Sequence, residues 1–226
     1  MQTIQFGDEG QAATRELIRR FESAAKDSPL AADTRERLRA RFATLQALDR
    51  RYGGSGPVAL EDVDELVAAL VADLASIEDA DLVIGVALWA IRHGVAVTAV
   101  EPVVNALANR SNRATGRNEI AAVFGLMQGV IAHVSPSLSA DLERSNPERP
   151  WSVLHVNLAI TAIRTEDPAM IDFAFDALDA ALPDECAGFY AEALALALAP
   201  GIAPAVRERI EARHRNGCRR PFSAER

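Results

Sequence analysis

DTRERLRARFATLQALDRRY, residues 33–52, sets Leu38, Phe42, Leu45 and Leu48 four, three and three apart. That spacing carries apolar side chains up one face of an α-helix and turns the arginines and acids to the other. Asp33 punctuates its start, and Gly53, Gly54, Ser55, Gly56 and Pro57 stop it and form a candidate hinge.

Working outward, the same periodicity predicts nine further helices. One precedes it at 9–26, with Leu17, Ile18 and Phe21 on one side. Eight follow at 61–77, 81–93, 97–111, 118–134, 151–165, 168–182, 184–199 and 203–216, opened mostly by Asp, Ser, Thr or Pro. Short connections force neighbouring helices to pack antiparallel, and their pairs match a helical hairpin repeat in length only, without a tetratricopeptide or ankyrin consensus. The expected fold is all-α: about ten antiparallel helices, arranged as a short α-solenoid of helical hairpins or as an irregular helical bundle. A single domain, 1–226, is expected, with an N-terminal hairpin at 1–57, a helical core at 58–216 and a flexible tail at 217–226. The stretch Leu194 to Leu198 alternates like a strand, but leucine and alanine are strong helix formers. Its alanine content predicts one of the most buried helices. Residues 135–150, with three prolines, read as a long polar loop of the kind that binds, caps or flexes.

With 226 residues, 49% hydrophobic and 25% charged, the chain has the apolar content to offset the entropy of ordering. No apolar run reaches the length of a bilayer, and the first ten residues lack the basic start of a secretory signal, so no membrane and a cytoplasmic address are expected. The two cysteines, Cys186 and Cys218, are expected to be free thiols in such a compartment.

The net charge of −8 is banded: residues 58–89 and 166–200 each carry eight acidic side chains and no basic one. Arginine-rich stretches elsewhere are interleaved with acids and short of aromatics, which argues against nucleic acid as a partner. Simply solvated faces explain the banding, and pairing of the acidic bands with arginine faces, within the chain or between subunits, is the more economical of the partnered readings.

Four local patterns contain candidate chemistry. Trp89 with His93, and Trp151 with His155, each stand four apart on one helical face. Two facing imidazoles can ligate a metal or move protons, while a core tryptophan beside a hydrogen-bonded histidine explains the same spacing. Arg149, Trp151, His155, Asn157 and Arg164 form a polar set around the long loop and are the expected ligand-facing surface, with loop anchoring as the structural alternative. Glu211 and His214 make one Glu-x-x-His pair, but a carboxylate-bridged metal site needs a second. Arg207, Arg209, Arg213 and Arg215 around it read as a solvated helix face. Asn105 and Asn109, followed by Arg110, Asn112 and Arg113, read as amides and cations at a helix exit, where a left-handed asparagine cap is expected.

No catalytic motif is assembled, and no metal or cofactor is expected. The expected function is a non-catalytic protein–protein interaction or adaptor role on charged helical surfaces, the partner being another protein or a second copy in a homo-oligomer. The alternative is a helical-bundle enzyme or a metal- or cofactor-binding protein with an interior site near His93 and His155.

Overall fold

Each apolar stripe becomes a helix. The computed structural model describes residues 7–54, 56–58, 62–77, 79–134, 150–198 and 202–217. Among these residues there are ten helices and no strand. They are α1 (Gly7–Asp27), α2 (Ala32–Tyr52), α3 (Val63–Leu74), α4 (Ala80–Arg92) and α5 (Val100–Arg113). There follow α6 (Arg117–His133), α7 (Pro150–Thr165), α8 (Pro168–Ala181), α9 (Cys186–Ala197) and α10 (Pro204–Asn216). No helix among the described residues is long and apolar enough to cross a membrane.

The helix ends are set by local chemistry. Asp79 caps α4 by accepting the Asp81 amide, and Asp167 caps α8 by accepting those of Ala169 and Met170 ahead of Pro168. Gly53, with φ of 71°, closes α2 in the left-handed conformation that glycine adopts without strain.

The chain divides into two compact units. The first comprises residues 1–113 and 128–144, the second 114–127 and 145–226, so α6 contributes its first part to the second unit and its last part to the first. In the first unit α1 packs on α2, α2 on α3, α3 on α4, and α4 returns to α1. That closed circuit is the neighbour pattern of a four-helix bundle, with α5 laid against α3 and α4. Its core holds Phe21 and Phe42, ring centroids 4.9 Å apart, together with Leu38, Leu45, Leu70, Leu74, Leu82 and Trp89. In the second unit α7 packs on α8, α8 on α10 and α9 on α10 around Phe175, Leu178 and Tyr190.

Several sequence expectations change. In the glycine loop after α2, expected as a candidate hinge, Gly56 and Val58 both bond to His93. The alanine-rich helix α9 is not deeply buried. Only Cys186, Tyr190, Ala193 and Ala197 face inward, while Leu196 and the following Leu198 are 74% and 64% exposed. Alanine makes the helix but offers little area to drive burial of every face. Cys186 is disulfide-bonded rather than free. It opens α9, which packs on α10, and Cys218 follows the end of α10 in sequence but lies outside the described residues. The loop expected at 135–150 also lies outside them, apart from Pro150, which begins α7.

Candidate functional site

Asp49 stands at the end of the α2 stripe, four residues beyond Leu45, and its side chain is 1% exposed. A lone carboxylate there would be untenable, so partners converge on it from α1 and α4. The Trp89 indole donates to Asp49 Oδ1 at 2.9 Å, His93 Nε2 approaches the same oxygen at 2.7 Å, and Arg92 Nη2 lies at 3.5 Å. Arg92 also donates to the Thr14 hydroxyl of α1 at 2.9 Å. His93 Nδ1 lies 2.7 Å from the Gly56 carbonyl and donates to it, so both ring nitrogens face oxygen. Gly10 completes the assembly. A Cβ there would stand 2.0 Å from the Gly54 carbonyl oxygen, so only glycine lets α1 come so close to the loop.

Burial alone pushes the Asp49 carboxyl up, but the hydrogen bonds from His93 and Thr14, the charge of Arg92 and the Trp89 bond outweigh it. The net result is a carboxyl held below its ordinary range. His93 is 0% and Trp89 1% exposed, while Arg92 is half-buried. The cluster is a buried tie between α1, α2, α4 and the glycine loop.

The second unit has a counterpart. Asp179 of α8, 1% exposed, accepts the Tyr190 hydroxyl at 2.8 Å and Arg213 Nη1 at 2.8 Å. Arg213 reaches Asp176 with its other nitrogen and lies over the Phe175 ring, 5.8 Å from the centroid. Arg213 is therefore not part of a solvated face as its neighbours suggested. It lies at the third turn of an inward stripe, Val206, Ile210 and Arg213. Burial first, and then the Asp179 hydrogen bond, raise the Tyr190 hydroxyl far above its ordinary range.

These shifts have opposite signs in pH. A carboxyl whose folded pKa is depressed stabilises fully above its unfolded value, about 4, and the contribution is lost as pH falls through the folded one. A phenol whose folded pKa is raised stabilises below its unfolded value, about 10, and the contribution fades as pH rises beyond it. Each unit contains one tryptophan, Trp89 or Trp151, so single-tryptophan variants report them separately. The expected outcome is a urea midpoint for Trp89 that falls below pH 4, and one for Trp151 that falls above pH 10 and stops doing so in Tyr190→Phe. Equal alkaline loss at both tryptophans would contradict it.

The residues singled out from sequence are placed as follows. Trp89 and His93 stack, with ring centroids 4.3 Å apart, inside the Asp49 cluster of the first unit. Trp151 and His155 repeat the geometry on α7 at 4.3 Å, His155 buried with Nδ1 donating to the Trp151 carbonyl at 2.9 Å. Asn157 is half-buried on the same helix. Arg164 donates to the Ala114 carbonyl at 2.7 Å and lines an apolar cleft of about 190 Å³ between α7, α9 and α10. Trp151, His155 and Asn157 do not line that cleft, and Arg149 lies outside the described residues. No family model, no curated protein and no solved structure matches the chain.

The acidic bands pair largely within their own units. Arg20 forks onto Asp79 and also reaches Asp81, Arg37 and Arg41 share Asp73, and Arg209 holds Asp172. One open polar row lies along α5. Glu101, Asn105, Asn109 and Arg113, spaced by four, line a cleft of about 600 Å³ facing the end of α3 and the start of α4. Its floor is apolar, with Val83, Ala106 and Ile77. Helix α5 continues through Asn112 to Arg113, so the amides lie along the helix and no left-handed asparagine cap ends it. Among the described residues these four side chains make no hydrogen bond or ion pair.

Proposed function

We propose that the protein is a non-catalytic interaction protein that docks part of another polypeptide in the α3–α4–α5 cleft of its first unit. One observation carries the reading: the polar ladder from Glu101 to Arg113 is open and makes no bond among the described residues, while the Asp49 and Asp179 clusters are buried against their own partners. A cleft of this volume with an apolar floor and a few convergent polar groups is suited to recognition. His93 supports the same choice over an interior metal or cofactor site. Both of its ring nitrogens face a protein oxygen, of Gly56 and of Asp49, so neither is turned toward an open ligand position.

The test is site-specific cross-linking in the protein's own host, with a photoreactive residue at position 105 and, as control, at exposed position 36. Polypeptide adducts at 105 and none at 36 are expected. Absence of polypeptide adducts at 105 refutes the reading.

A further inference from the structure

The ladder on α5 has a spacing and a polarity, and together they specify an occupant. Asn105 and Asn109 are one helical repeat apart, a rise of about 6 Å. An extended peptide repeats its backbone amides on one side every two residues, about 6.7 Å. A carboxamide offers both a donor and an acceptor, which is what a peptide group requires. Two amides in register with alternate peptide groups can therefore hold an extended backbone without reading its side chains. The side chains pointing down from such a backbone, every second one, meet Val83, Ala106 and Ile77. Room above that floor suits small apolar residues.

The ends of the ladder differ in charge. Glu101 stands at one end as a carboxylate. At the other, Asp79 and Asp81 are already engaged by Arg20 and Arg110, which leaves Arg113 as a cation without a partner among the described residues. Twelve residues of helix separate Glu101 from Arg113, about 18 Å, and an extended chain covers that distance in five or six residues.

Building on the partner-docking reading, we propose that this cleft binds an extended peptide segment carrying a basic residue over Glu101 and an acidic residue or chain terminus over Arg113, five or six positions apart. Small apolar residues fill alternate positions between them. Amides grip the backbone and the two charges set its direction, so specificity resides in charge order rather than in a deep side-chain pocket.

Selection from a phage-displayed random peptide library on the intact protein tests this. Enriched peptides are expected to place one basic and one acidic residue five or six apart in a fixed order. The double variant Glu101→Arg with Arg113→Glu is expected to enrich the opposite order. All four ladder residues are exposed, so the fold tolerates these changes and circular dichroism verifies it. A synthetic copy of an enriched peptide is expected to bind Asn105→Ala/Asn109→Ala roughly tenfold more weakly, the effect of two lost hydrogen bonds. No enrichment, no charge order, or an order unmoved by the charge swap would overturn the proposal. Polypeptide cross-links at position 105 combined with any of those results would leave partner docking standing and remove only the extended, charge-ordered peptide.

Discussion

Asp49→Ala is expected to destabilise the first unit by about 3–5 kcal/mol, the loss typical of removing one member of a buried charged cluster. The deleted carboxylate is the shared acceptor of the Trp89 indole, the His93 ring and Arg92. Trp89 and His93 have no route to water, being 1% and 0% exposed, so their donors stay unpaired. In a Trp151→Phe background, the fluorescence of Trp89 should report a urea midpoint lower by more than about 1 M, given the usual denaturant dependence of a small unit. Asp49→Asn keeps an acceptor oxygen and loses only the charge, so its midpoint should fall between alanine and wild type. A loss below about 1 kcal/mol for alanine would mean that the cluster does not hold the bundle together.

The second large effect is expected at Asp179. Asp179→Ala strips the Tyr190 hydroxyl and Arg213 of a buried acceptor, but Arg213 retains Asp176, whose side chain is 58% exposed. A loss of about 3 kcal/mol is expected, read by Trp151 in a Trp89→Phe background. A second variant separates the value of the network from the harm of breaking it. Replacing the whole set, Asp179→Leu with Tyr190→Phe and Arg213→Met, leaves no buried donor behind and should recover most of the lost stability. If the triple variant is as unstable as the single one, packing rather than charge balance governs this core.

Both sites are partly legible in the sequence, and the part that is not has a physical reason. Helices were readable because Leu38, Phe42 and Leu45 repeat at helical spacing, and that signal is local. Asp49 continues the same stripe one step further, Asp179 lies four residues beyond Phe175, and Arg213 follows Val206 and Ile210 in step. A charged residue in register with an apolar stripe is the mark of a buried, partnered charge. What the sequence does not contain is the partner: Trp89 and His93 lie about forty residues from Asp49, and Arg213 lies 34 from Asp179. The ladder from Asn105 to Arg113 was visible as a spacing, yet a helix exit produces the same residues. Only the facing residues Ile77 and Val83, brought up by the α3–α4 turn and α4, distinguish a cleft wall from a solvated face. The spacing of Trp89 and His93 is visible in the sequence, but their partner Asp49 comes from a helix they do not belong to.

The closed circuit from α1 to α4 has a consequence for the order of events along the folding coordinate. Contacts between successive helices close short loops and form early, whereas the bond from Arg92 to Thr14 joins residues 78 apart and carries the larger closure entropy. The Asp49 cluster is therefore expected to assemble after the barrier, once the helices it joins have docked, so that Asp49→Ala speeds unfolding in stopped-flow measurements more than it slows refolding. Interactions absent from the transition state slow the reverse step and leave the forward one almost untouched. Asp49 thus acts as a latch on a quickly formed bundle, governing how long the native protein lasts rather than how soon it appears.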